Sequence, residues 1–333
     1  MENKQGIRIM HYGAWLGWQI DYLLWFQNFR DITHHIFDNF FLTITTFGEI
    51  IIPIIFICTL YWTINKKIGQ FVLWSYIFGF IANILAKTTA CIYRPWILDT
   101  RIHPLAQAIP AATGYSFPSG HTAGAVTTWG GTAFAFWNNK LVRYTCLAII
   151  IGVMISRNYV GVHTPQDVVV SFFLSCIVLW IANKAISYSE KDSKNDKYII
   201  LAVLTIIIAM LTYVIFKSYP IHYLFGKILY DPTPMKYEAI VRSGFIIGAF
   251  SGWFIEKRFI NFSPETGTFS QKVARLLVGL TFLTCLYSIS SIFKNMMCEN
   301  LTLGLSGMCV QHIILGLFIT CIYPFFIKKY NRL

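Results

Sequence analysis

Three short strings in this chain hold residue types suited to phosphate chemistry. Lys87 is followed after six residues by Arg94 and Pro95. Pro118-Ser119-Gly120-His121 comes next, and then Ser156-Arg157, with His163 after five residues and Asp167 after three more. Together they supply three cations, two imidazoles, one carboxylate and a hydroxyl at a helix start. Phosphoryl transfer needs mainly positioning and charge neutralisation. Three fixed cations can provide that charge in place of a metal, so the inventory suits binding a phosphate and attacking it with no cofactor.

Helices must carry these groups. Lys87 and Arg94 are nearly two turns apart and share one face, and Pro95 ends that helix. Arg94 alone reads as a snorkelling boundary cation. Lys87 lies more than a turn inside an apolar run, where an ionisable residue is a functional candidate. Ser119 fits an N-cap and Gly120 a close backbone approach, so the helix start there is an anion site. The bland alternative is an ordinary capped helix beside a chance histidine. Thr164, Pro165 and Asp167 fit N-cap, N1 and N3 of another helix. A carboxylate at N3 closes a capping box and also accepts a hydrogen bond from the His163 ring, fixing its tautomer.

The composition places these helices in a membrane. Of 333 residues 56% are hydrophobic and 13% charged, against about 25% charged in soluble domains. Nine apolar runs are candidate spans: 42–64, 71–93, 119–138, 144–162, 165–183, 198–216, 239–258, 273–293 and 307–327. The fold class is therefore an all-α polytopic bundle of about nine transmembrane helices. The expected organisation is an N-terminal interfacial segment (1–40), a core with the three motifs (41–187) and additional C-terminal helices (188–333). Residues 1–12 are mixed polar with no signal-peptide pattern, and Ala14–Phe29 reads as an interfacial amphipathic helix. The net charge of +12 is dispersed between apolar runs, which argues against nucleic acid as a partner. Segments 65–70, 139–143, 184–197, 256–275 and 328–333 hold fifteen of the 27 Lys and Arg residues. The positive-inside rule makes these segments cytoplasmic, with the C-terminus. An odd number of spans then puts the N-terminus and the motifs on the far side: periplasm, cell exterior or organelle lumen.

The three blocks resemble the type-2 phosphatidic acid phosphatase superfamily, which includes glucose-6-phosphatase and the vanadium haloperoxidases. All eleven signature positions occur at the family's spacing, within roughly residues 40–183. Four fixed residues at average usage recur about once per 10⁵ start positions, so the third block is a specific signal by itself. The resemblance implies His163 as the nucleophile, oriented by Asp167, and His121 as the proton donor to the leaving oxygen. Lys87, Arg94, Ser119, Gly120 and Arg157 would bind the phosphoryl oxygens, with Ser156 in support. It implies a phosphohistidine intermediate, no metal, and a lipid phosphate drawn from the bilayer, either phosphatidate-type or an isoprenoid mono- or diphosphate. A hydrolase of soluble esters, like glucose-6-phosphatase, is the enzymatic rival. A transporter or silent lipid-binding protein is the rival from another class, and intact His121, His163 and Asp167 argue against silence.

The remaining candidates are weaker. Glu49 is a lone acid at a depth similar to Lys87, and the two are expected to pair, unless Glu49 only fills a packing defect. His34-His35 reads as a surface loop. Cys298 and Cys309 flank a short predicted loop that a disulfide would close. In the loop 95–117, Trp96, Ile97, Leu98, Leu105 and Ile109 suit a lid touching lipid chains, whereas Asp99, Arg101 and His103 could bond a sugar.

Overall fold

A computed structural model describes residues 14–224 and 227–330. The readings of residues 1–12 and of Arg332 lie outside the described residues. Among the described residues fifteen α-helices follow one another: α1 (Ala14–Ile32), α2 (Asp38–Thr45), α3 (Ile51–Thr59), α4 (Lys66–Ala90), α5 (Pro95–Leu98), α6 (Gly120–Ala125), α7 (Gly131–Ala135), α8 (Lys140–Tyr159), α9 (Pro165–Lys191), α10 (Asn195–Phe216), α11 (Thr233–Ile255), α12 (Phe269–Ser288), α13 (Ser290–Glu299), α14 (Leu301–Leu317) and α15 (Tyr323–Tyr330). A small antiparallel hairpin, Tyr223–Leu224 with Lys227–Ile228, precedes α11. The all-α membrane class is as expected from the apolar runs.

Among the described residues seven helices are long and apolar enough to span a bilayer, or eight if one bent pair counts as a span. This differs from the expected nine in two places. The 42–64 run is not one straight helix, because Asp38–Gly48 and Ile51–Ile64 meet at 52°. Pro53 explains the break. In a continuous helix its ring would strike the Glu49 carbonyl and leave that oxygen without a donor. Glu49 instead adopts extended backbone, with φ −81° and ψ 177°. The 119–138 run is helical only from Gly120 to Ala135, through a π-helical turn at Val126–Gly130. That is shorter than the ~20 residues expected of a full span, although the segment runs alongside α8 from the motif end to the 139–143 end. Its small and hydroxylated residues pack inward along α8 rather than facing lipid.

The helices gather into two compact units that alternate along the chain. One comprises the described residues up to Pro53, Trp74–Ala182 and Ser218–Pro234; the other comprises Ile54–Leu73, Asn183–Lys217 and the described residues from Met235 onward. The first unit contains all three motifs. In it, α1 docks through buried Gln19, whose Oε1 accepts from Gln166 N at the start of α9 at 3.0 Å. Ile20 and Leu23 of α1 pack on Ile102 and Trp96, while Trp18 and Trp25 are exposed. The loop after α5 is thus packed against α1 through Ile102, while Ile109 is exposed. The second unit is organised around Trp62, whose Nε1 donates to Ile319 O at 2.9 Å. Its buried acids are paired, Glu256 with Lys66 at 3.1 Å and Asp196 with Lys257 at 2.8 Å.

All eight cysteines are free, so the expected Cys298–Cys309 bridge is absent. Helices α13 and α14 run through both positions, and the Cys309 thiol turns to the Ile240 carbonyl instead.

The turn at residues 46–48 packs directly on α6. A Cβ on Gly48 would lie 2.4 Å from the His121 carbonyl oxygen, and one on Gly124 would lie 2.5 Å from the Gly48 oxygen. Gly48→Ala and Gly124→Ala should each destabilise the protein by about 1–3 kcal/mol through overpacking. Gly17, with nothing within 4 Å of its Cβ position, provides the control. Thermal unfolding in detergent should show a lower Tm for the first two variants and not for Gly17→Ala; an unchanged Tm at Gly48 would refute the close approach.

Candidate active site

The cations arrive first, from the end of α4 and the residue before α5. Lys87 Nζ donates to the Tyr115 carbonyl at 2.7 Å and the Ser116 carbonyl at 3.4 Å. Arg94 donates from Nε to Gly114 O (3.0 Å), from Nη2 to Thr113 O (2.7 Å) and from Nη1 to Val162 O (3.0 Å). These partners are backbone dipoles, which solvate a buried cation without cancelling its charge. Arg157, at 0% exposure, is less well served. Its Nη1 donates to Thr45 Oγ1 at 2.7 Å, while Nε and Nη2 are buried with no hydrogen-bond partner. Unsatisfied buried donors are costly, more so on a charged group. An anion reaching both nitrogens would relieve that cost.

The spacing of the third block follows from how α8 ends. Gly161 takes a left-handed φ of 78° and turns the chain back. The Arg157 carbonyl then accepts from both Val162 N and His163 N, at 3.3 Å each. His163 is thereby brought against Arg94, with Nη1 at 3.0 Å from Nε2. A guanidinium only donates, so Nε2 is the acceptor and Nδ1 carries the proton. Nδ1 faces Asp167 Oδ2 at 3.2 Å. The same oxygen accepts from Thr164 N at 2.9 Å, the capping contact expected of an N3 acid, and from Ser116 Oγ at 2.5 Å. An unprotonated Nε2 on a ring fixed in this way can act as a nucleophile.

The second block completes the cluster. Ser119 caps α6, its Oγ accepting from Thr122 N at 3.3 Å, and its own N–H donates to the Asp167 carbonyl at 3.0 Å. A Cβ on Gly120 would meet only Asn83 Oδ1, at 3.6 Å. His121 Nε2 lies 3.4 Å from Glu49 Oε1. The expected Glu49–Lys87 pair is therefore replaced by a Glu49–His121 pair. The helix break at Glu49 lies against the start of α6, so it turns that carboxylate to His121. Ser156 donates to the Val153 carbonyl of its own helix at 2.7 Å, so its hydroxyl secures the end of α8. His35 pairs with Asp38 at 2.9 Å on the surface, and no cluster of potential metal ligands occurs among the described residues.

Sequence reasoning overlooked Ser116 and Thr45. Ser116 sits three residues ahead of Ser119, and this proximity was the available signal. Thr45 carried none, since its contact with Arg157 spans 112 positions.

His163 lies between two spans, buried to 1% exposure. Burial, then Arg94, Arg157, Lys87 and His121, push its pKa well below the ordinary imidazole value. The charged form is the one disfavoured, so the ring stays neutral as pH falls through about 6.5. Histidine ¹⁵N NMR of labelled protein in micelles, with the His163 signal identified by its loss in His163→Ala, should show a neutral ring at pH 5.5. Half-protonation near pH 6.5 would contradict this.

Comparison with known proteins points to one superfamily. Residues 69–191 match the PAP2 superfamily, and residues 240–332 match the transmembrane extension of PAP2 superfamily phosphatases. An undecaprenyl-diphosphatase of Sulfolobus acidocaldarius is 31% identical over 118 residues, covering 35% of this chain and 53% of that protein. The chain thus spans about half the length of that relative. The undecaprenyl-diphosphatase BcrC of Bacillus subtilis is 29% identical over 161 residues, covering 46% of this chain and 78% of that protein. No solved structure matches the chain. Residues 69–191 thus carry a PAP2 superfamily domain, which holds all three motifs, and residues 240–332 its transmembrane extension.

Proposed function

We propose that the protein is a metal-independent membrane phosphatase acting on a lipid phosphate, foremost an isoprenoid diphosphate, through a phosphohistidine intermediate. The contact that carries this reading is Arg94 Nη1 to His163 Nε2 at 3.0 Å, which puts a phosphate-binding donor beside an unprotonated nitrogen. In the first step His163 Nε2 bonds to phosphorus as the P–O bond to the leaving group breaks, and His121 gives that oxygen a proton. In the second, His121 takes a proton from water, whose oxygen displaces His163 and releases phosphate. Lys87, Arg94 and the two unpartnered nitrogens of Arg157 neutralise charge on the phosphoryl oxygens, aided by Ser119 and the Gly120 N–H. Asp167 holds the His163 tautomer throughout.

The lipid substrate is supported by the two relatives named as undecaprenyl-diphosphatases and by α1, whose outward tryptophans suit the bilayer interface. Against the soluble-ester rival, Asp99 and Arg101 pair with each other, Nη2 to Oδ2 at 2.7 Å, rather than standing ready for a sugar. Proteoliposomes should hydrolyse an isoprenoid diphosphate or a phosphatidate with kcat/KM at least tenfold above a hexose phosphate. Turnover should persist in EDTA and vanish in His163→Ala. A hexose phosphate that matches both lipids would overturn the lipid substrate, and metal-dependent turnover would overturn the mechanism.

The site is further proposed to face away from the cytoplasm. The motif residues cluster at the C-terminal ends of α4 and α8 and the N-terminal end of α9. The basic segment 139–143 lies at the opposite end of α8, and the positive-inside rule assigns that end to the cytoplasm. Cysteines introduced singly at 100–105 and at 190–195 distinguish the faces. In intact cells an impermeant thiol reagent should label the first set and spare the second; the reverse pattern would invert the topology.

A further inference from the structure

We propose that Glu49 is a positioning residue for His121, orienting its imidazole and opposing the two neighbouring guanidiniums so that it can deliver a proton to the leaving oxygen. Its contribution then grows with the basicity of the leaving group. The inference rests on the phosphatase reading above and extends it to a residue outside the three motifs.

The backbone around Glu49 is set independently of any charge. Pro53 forbids a helix through position 49, and the extended residue there follows a turn pressed onto α6 at Gly48 and Gly124. Trp129 Nε1 donates to the Phe47 carbonyl at 2.9 Å and ties the same turn to the π-helical segment after α6. The carboxylate that emerges lies 3.4 Å from His121 Nε2, with side-chain exposures of 35% for Glu49 and 11% for His121. The charged and titratable groups facing His121 are Glu49 from the break, Arg157 from α8, Arg94 from before α5, and His163 from the α8–α9 loop. Two of these are permanent cations and one is an imidazole. Glu49 is the one carboxylate in ion-pair reach of His121 among the described residues, since Asp167 is engaged by His163, Ser116 and Thr164. Without Glu49, an imidazolium at position 121 would face two guanidiniums in a buried site.

The chemical consequence depends on what leaves. As the His163–phosphorus bond forms and the P–O bond breaks, the departing oxygen takes the His121 proton through the nitrogen not held by Glu49. A phosphate leaving group, with a second pKa of about 6, departs with little help. An alkoxide is far more basic and needs the proton. Loss of the carboxylate should therefore harm cleavage of an alkyl monophosphate far more than cleavage of a diphosphate.

The test measures kcat/KM, which reports the step in which the leaving group departs. Wild type, Glu49→Gln and Glu49→Asp are compared on an isoprenoid monophosphate, the matching diphosphate and 4-nitrophenyl phosphate. Glu49→Gln should lose about 100-fold on the monophosphate and less than about fivefold on the other two, which also report that the variant is folded. Its monophosphate pH profile should lose activity at lower pH than wild type on the alkaline limb, because the imidazolium gives up its proton more easily. Glu49→Asp should recover part of the loss. An equal loss on all three substrates, or an unchanged monophosphate rate and pH profile, would overturn the role. Failure of the underlying phosphatase reading looks different: wild type would cleave none of the three, or His163→Ala would cleave them as wild type does.

Discussion

The structure depends on burying cations at the ends of membrane-spanning helices while keeping their charge available. A carboxylate partner for each would satisfy them and also neutralise them, leaving nothing for an anion. The chain instead brings a loop of backbone to them. Residues 113–116 supply carbonyl oxygens to both Lys87 and Arg94, and Val162 adds another from the turn after α8. Carbonyl dipoles lower the desolvation cost without removing the net charge. This requirement explains why the segment ahead of the second motif folds inward instead of arching over the site as a free lid.

The acids are used sparingly and each has one task. Asp167 is joined through a single oxygen to His163, Ser116 and the Thr164 amide, so it links the start of α9, the turn after α8 and the loop before α6. Glu49 stands on the far side of the cluster at a proline-enforced break. The two imidazoles therefore have different surroundings. His163 has an arginine on one nitrogen and a carboxylate on the other, which keeps it neutral and directed. His121 has a carboxylate on one nitrogen and no carboxylate holding the other. Two chemically identical side chains thereby have the different surroundings that the proposed roles of nucleophile and acid require.

The second unit shows the same economy without the chemistry. Glu256 and Asp196 are each matched to a lysine, and Arg275 is held by the carbonyls of Trp62, Pro264 and Thr266. No buried cation there is left with unpaired donors among the described residues, in contrast to Arg157. Arg30 of α1 is also buried with Nε and Nη1 unpaired, so unpaired donors alone do not mark a ligand site.

The sequence by itself determined the membrane class, the family and the residues of the cluster. Apolar runs of ~20 residues have one solution in a bilayer, and motif spacing is local: Lys87 and Arg94 share a helix, Asp167 caps one, and His163 follows a helix end. What tertiary structure decided were contacts that no local period encodes. Ser116 reaches Asp167 and Thr45 reaches Arg157 only because separate segments pack at one end of the bundle. Glu49 and Lys87 matched in predicted depth, but depth is one coordinate; direction around the helix axis gave Glu49 to His121. The helix at 120–135 is shorter than the expected 119–138 run, and its small residues serve close packing against α8 and the turn at Gly48. Pro53 was present in the sequence as a helix-breaking signal. Its consequence, a carboxylate placed over an imidazole, required the partner surface of α6.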